Sequence, residues 1–366
     1  MKNTFGTSLC VTLFGESHGE EIGAVLDGLA PGITVDEEYI KLKLSKRRPS
    51  GNISTKRREA DEFRIVSGVF NGKTTGTPLC ILIPNTNIKS SDYEDISYIP
   101  RPGHADYTAF CKYKGFQDIR GGGHFSGRLT APLVAAGAIV EKALESKGIY
   151  IGTHISRLGG VSDRTFDNIE ADLKYLKEAS FPTLCEDKEL QIKEFIEKIA
   201  TEGDSVGGIL ETAVCGVPAG VGEPWFDGVE SVLAKALYGI PAVKGVEFGL
   251  GFGFADGNGS ELNDPFVVKD GKVITLTNNN GGINGGITNG MPITFRLAVK
   301  PTPSIYKAQR SVDLKTMENT TLEIKGRHDP AIIHRVAPVV DAVTALAVYD
   351  MISTSMGSSY FFAKDE

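Results

Sequence analysis

The chain has 366 residues, 41% of them hydrophobic and 23% charged, with a net charge of −7. This is ordinary globular composition, long enough for one large domain or two, and its acidity argues against nonspecific nucleic-acid binding. Five widely spaced cysteines (10, 80, 111, 185 and 215) show no metal-ligand spacing, which predicts reduced thiols in a cytoplasmic protein and no structural zinc.

Ser8 to Phe14 reads as a strand: its apolar run is too short for a signal peptide, and Glu16 follows at once. It ends in Gly15-Glu16-Ser17-His18-Gly19, a bent polar turn without the strand–elbow–helix setting of a serine hydrolase. Asp36 to Ser45 reads as a helix that Pro49 stops, followed by Lys46, Arg47 and Arg48, then Lys56, Arg57 and Arg58 around a Gly51–Asn52 loop. Six cations around one loop favour phosphate or carboxylate binding through arginine forks. Glu62 to Phe70 and Leu79 to Pro84 form a predicted hairpin, with Asn71–Gly72 as one turn signal.

Arg101 to Pro132 concentrates the chemistry: His104 and His124, Arg101, Arg120 and Arg128, and glycines at 121, 122 and 123. Glycines running into a helix N-terminus read either as a turn before a buried helix or as an anion site, and the flanking histidines and arginines favour the site. That helix is predicted to run to about Ser146, followed by a strand from Gly148 to Ile155 and two amphipathic surface helices between Arg164 and Ala200. Ile209 to Val217 reads as a strand, Val229 to Tyr238 as a helix, and Ala242 to Gly249 as a strand. The glycine pairs at 281–282 and 285–286 suggest tight packing on a flat ligand or a crossing strand. A strand from Pro292 to Val299 leads into Lys300-Pro301-Thr302-Pro303-Ser304, where the prolines stiffen the loop. Arg327-His328-Asp329 offers an anion fork, a proton carrier and a carboxylate. A last helix, from about Ile332 to Ser353, is expected to be interrupted at Pro338, with His334 structural. No run of 18 apolar residues exists, so no membrane span is expected. Candidate pieces come from all parts of the chain, which argues for one domain over residues 1–366.

Taken in order, GESHG, RRP, RPGHADYT, RGGG, DSVGG, AVKGVEFG, GGINGGITNG, KPTPSI and GRHDP resemble the chorismate synthase family over the whole chain. The resemblance implies an α+β fold, two antiparallel sheets around a helical core, and a homotetramer. It implies 1,4-elimination of phosphate from a small-molecule substrate, 5-enolpyruvylshikimate 3-phosphate, with reduced FMN. His18 and His104 match the two acids, Asp329 the carboxylate that removes the C6 proton, and Ser17 and Ser126 serines near flavin and substrate. His124, Phe125, Ser126, Pro241, Ala242, Gly285, Lys300, Pro301, Thr302, Pro303, Ser304 and Arg327 match flavin-contact segments. Arg48, Arg101 and Arg128 match substrate arginines, and Arg47 an arginine linked to NADPH. Two positions depart from the pattern: His124-Phe125 where many members carry Arg-Ser, and Ile53 where many carry an arginine. The second leaves two sources of reduced flavin, NADPH or a separate flavin reductase. The residues alone also admit a flavin oxidoreductase, a histidine-dependent phosphatase and a non-catalytic anion binder.

Overall fold

The computed structural model describes residues 2–49, 51, 53–54, 60–86, 98–324 and 328–362. Two five-stranded antiparallel sheets flank a layer of helices, the expected α+β arrangement. The first sheet runs in the order Thr4–Phe5, Cys10–Gly15, Glu21–Asp27, Leu79–Pro84, Arg64–Ser67. The second runs Val243–Phe248, Ile293–Val299, Gly208–Cys215, Tyr150–Leu158, Val161–Ser162. Strict alternation of buried and half-buried residues along Leu79–Pro84 and Ile293–Val299 gives each sheet one core face.

Among the described residues eight α-helices follow in chain order: α1 (Glu37–Arg47), α2 (Asp106–Tyr113), α3 (Thr130–Glu145), α4 (Ile169–Glu178), α5 (Glu186–Thr201), α6 (Val229–Leu237), α7 (Gly259–Leu262) and α8 (Ile333–Met356). Asp36 caps α1 by accepting a hydrogen bond from the Tyr39 amide. α3 and α8 are buried nearly all round and pack on one another between the sheets. At their crossing a Cβ on Gly137 would stand 2.5 Å from the Ala342 Cα, so only glycine allows this approach. α8 is long and apolar enough to cross a membrane, yet 94% of its most apolar stretch is buried inside the protein, as in a core helix. It runs through Pro338 without the expected interruption: the bond lost to the His334 carbonyl lies in the second turn, and packing all round holds the helix.

Asn71 and Gly72, at φ +49° and +72°, turn the small hairpin of Val69–Phe70 and Lys73–Thr74 as expected. Gly285 and Gly286, at φ +62° and +84°, likewise turn the hairpin of Ile283–Asn284 and Ile287–Thr288. Gly281 packs on a crossing segment, a Cβ there lying 2.6 Å from the Gly249 amide nitrogen. This settles the two readings of these glycine pairs for Gly281 in favour of backbone packing.

His154 is fully buried, with Nδ1 3.3 Å from Asp163 and Nε2 2.8 Å from Glu211. Burial alone would lower its pKa, but the two carboxylates outweigh burial and raise it. A raised folded-state pKa gives stability that is fully present below the unfolded value of about 6.5 and is lost as pH rises through the folded value. Urea unfolding between pH 6 and 9 should therefore show stability falling with pH. His154→Gln should flatten that slope and cost about 1–3 kcal/mol at pH 6.

Candidate active site

The turn after the first sheet's Cys10–Gly15 strand meets the three-glycine loop before α3. The Ser17 amide donates to the Gly123 carbonyl at 3.1 Å, and the Ser17 hydroxyl lies 3.1 Å from His18 Nδ1. Both side chains are buried. Gly121, at φ +65°, backs directly onto the His18 ring: a Cβ there would lie 2.7 Å from Nδ1. Glycine is needed for the backbone conformation and for the space. Gly121→Ala should displace His18 and cost about 10²-fold in kcat, with the protein still folded by circular dichroism. Unchanged turnover would show that His18 does not depend on this wall. His124 Nδ1 lies 2.8 Å from the Gly15 carbonyl, so that nitrogen carries a proton and donates it. His124 thus ties the two loops together, and Phe125 beside it meets Tyr113 edge-on at 6.2 Å.

Arg101 joins His104 to the same wall. Its Nη2 donates to the Gly121 carbonyl at 2.7 Å and lies 3.1 Å from His104 Nδ1. Its Nε and Nη2 also grip Asp106, each at 2.7 Å, and Asp106 Oδ1 lies 2.5 Å from His104 Nδ1. Burial would raise the Asp106 pKa, but hydrogen bonds from Arg101 and His104 hold it well below the carboxylate range. An ionised carboxylate on Nδ1 fixes that nitrogen as the protonated one. Asp106 has no role of its own, and α2, which it begins, no assignment in the sequence reading. An acidic residue two positions after a histidine was the available signal.

The Lys300–Ser304 loop closes on this turn from the second sheet. Lys300 Nζ donates to the Gly103 carbonyl, and the Lys300 amide donates to the Ala242 carbonyl at 2.9 Å. Burial, then the charge of Lys244, lowers the Lys300 pKa. Ala242 sits at φ +76°, a left-handed conformation costing an alanine of order 1–3 kcal/mol. Thr302 Oγ1 donates to the Asp329 carbonyl at 2.6 Å, Ser205 Oγ to the Thr302 carbonyl at 2.7 Å, and the Val206 amide to Pro330 at 2.8 Å. The DSVGG segment thus staples Asp329 to the loop. Arg335, unmarked in the sequence reading, donates to Asp329 Oδ2 at 2.6 Å and to the Arg47 carbonyl at 2.8 Å.

Through Gly121, Arg101, Gly103 and Arg335, a chain of contacts therefore connects Ser17, His18, His104, Lys300, Thr302, Asp329 and Arg47. Arg48 and Arg128 join it through Asp61, which also bonds Arg47. Ser126 accepts from the Arg128 amide at 3.2 Å. Pro301 and Pro303 brace the loop, beside Gly207 and Gly103 respectively. Pro241 and Ser304 flank Ala242 and Pro303. Gly285 lies elsewhere, beyond the opposite end of strand Ile293–Val299, about 20 Å from Lys300 at roughly 3.3 Å per residue. Arg327, Lys56, Arg57 and Arg58 fall outside the described residues. A partly open cavity of about 50 Å³ lies beside His104, lined by Arg101, His104, Asp106, Gln117, Gly121 and Phe125 among others.

The family model described as chorismate synthase matches residues 9–353. A chorismate synthase of Thermococcus gammatolerans is 51% identical over 94% of this chain and 96% of its own length. One of Pyrococcus abyssi is 50% identical with the same coverage. A crystal structure titled chorismate synthase superposes with a TM-score of 0.76 at 29% identity, covering 96% of this chain and 94% of that one. With motifs, fold and near-complete alignment in agreement, this chain belongs to the chorismate synthase family.

Proposed function

We propose that the family's carbon–oxygen lyase reaction, loss of phosphate from 5-enolpyruvylshikimate 3-phosphate to give chorismate, runs here on the face between His18, His104 and Asp329 with reduced FMN. The observation that carries this reading is the unbroken contact chain from His18 through Gly121 and Arg101 to His104, and on through Lys300 to Asp329. The donor set suits a flavin phosphate and a polyanionic acid: Lys300, Arg48 and two histidines beside a carboxylate. His328 Nε2, next to Asp329, is buried with no partner among the described residues. An orphaned polar atom there fits a site completed by a ligand.

When bound, reduced FMN supplies electron density to the allylic system and is regained at the end. Asp329 takes the C6 proton, and Arg335 and Thr302 hold the segment that aims it. As the C3–O bond breaks, one histidine hands its proton to the departing phosphate while the other keeps the flavin in its working charge state. Proton loss at C6 and phosphate loss at C3 balance as a new double bond with no net oxidation. Anaerobic turnover with photoreduced FMN should yield chorismate and phosphate one to one. Steady flavin oxidation, or phosphate release without flavin, would sink the proposal.

A separate flavin reductase is the favoured electron source. Arg47 is 2% exposed, bonded to Thr130 at 3.0 Å and Asp61 at 3.3 Å, and Ile53 is buried in the core. NADPH added anaerobically to the pure protein with oxidised FMN should therefore give no turnover; chorismate formation would overturn this. A homotetramer is supported by exposed Trp225, Phe226 and Phe252, each at least 85% exposed, and by Phe266, Val268 and Val273 on one hairpin. Residues 1–366 are read as one domain, since both sheets feed the site. A cytoplasmic setting is supported by five unpaired cysteines.

A further inference from the structure

Asp61 takes no part in the chemistry above, yet the basic cluster turns on it. Its side chain is completely buried and accepts from Arg47 Nη1 at 3.3 Å, from Arg48 Nε at 3.4 Å and from Arg128 Nη1. These arginines come from the end of α1 and the turn before α3. Two of the forks have further partners: Arg47 Nε donates to Thr130 at 3.0 Å, Arg128 Nε to Asn85 at 3.0 Å and Arg128 Nη2 to the Pro84 carbonyl at 3.2 Å. Arg48 is the most open of the three, its side chain 31% exposed, and so is the face the cluster shows to solvent. Asp61 sits at φ +49°, a left-handed conformation that aspartate tolerates better than most residues. Burial would raise its pKa, but Arg47, Arg128 and Arg48 hold it below the ordinary carboxylate value, so it is ionised at neutral pH.

We infer that Asp61 is a positioning residue: an internal carboxylate, itself fixed by buried Arg47 and Arg128, that holds the more open Arg48 in place as a preformed contact for the phosphate or a carboxylate of the substrate. The inference rests on the proposed function. Three guanidinium groups repel one another, and each long side chain loses freedom when a ligand orders it. A built-in anion pays that ordering cost during folding, so the substrate meets Arg48 already in place. The alternative is an ordinary buried ion pair that supports the fold alone.

Equilibrium dialysis of the enolpyruvyl substrate against protein saturated with oxidised FMN separates the two. Flavin affinity by fluorescence and urea unfolding are read in parallel. Asp61→Asn keeps the shape and removes the charge. It should raise the substrate Kd at least tenfold while the flavin Kd stays within twofold. An unchanged substrate Kd, or equal losses of both affinities, would overturn the inference. If the Asn variant does not fold, Asp61→Glu keeps the charge but moves it by a methylene. A several-fold rise in substrate Kd is then expected, and a wild-type value would overturn the inference. Failure of the wild type to bind the substrate would instead sink the proposed function, and this inference with it.

Discussion

Replacing His104 by alanine is expected to lower kcat by roughly 10²–10⁴-fold, the usual contribution of a positioned acid or base. His104 is held by Asp106 at 2.5 Å, so its loss removes a group whose orientation is already fixed. His18→Ala should cost a similar factor, since the His18 ring is pinned between Ser17 and Gly121. Stopped-flow and steady-state kinetics with reduced FMN would check both variants. Retention of wild-type turnover by either would remove that histidine from the chemistry.

The largest expected loss of stability comes from Lys43→Met. Lys43 Nζ lies 2.9 Å from both Glu141 and Asp341, in a buried cluster joining α1, α3 and α8. Tyr39 donates to the same Glu141 oxygen at 2.7 Å. Burial would strip the Lys43 proton, but Asp341 and Glu141 outweigh burial and raise its pKa. Removing the ammonium leaves two buried carboxylates without their counter-charge, at a cost of about 3–5 kcal/mol. Replacing all three charges, Lys43→Met with Glu141→Leu and Asp341→Leu, should recover most of that loss, because the desolvation penalty leaves with the charges. Urea unfolding of the single and triple variants would decide; equal losses in both would mean that packing, not charge, sets the cost.

The motif residues were legible because glycine, histidine and proline signal special backbone or chemistry by themselves. The loop strung from Lys300 to Ser304 and the wall at Gly121 could be anticipated that way. Asp61 and Arg335 could not: each is an ordinary charged residue in a polar or apolar context, and only the fold reveals its partners. The Glu21–Asp27 strand, which pairs both Cys10–Gly15 and Leu79–Pro84, was also missed. Buried in the middle of its sheet, it carries an apolar run without alternation, and Gly23 interrupts it. At Pro338 tertiary packing overrode the local rule, and Gly285 proved to be a hairpin turn far from Lys300.

Hydrogen exchange read by mass spectrometry, with and without FMN and substrate, tests most directly whether these distant segments serve one ligand site. Joint protection of residues 15–19, 101–106, 120–126 and 300–304, with no change in helix α5, is the predicted result. Protection confined to one of those four segments would contradict the account.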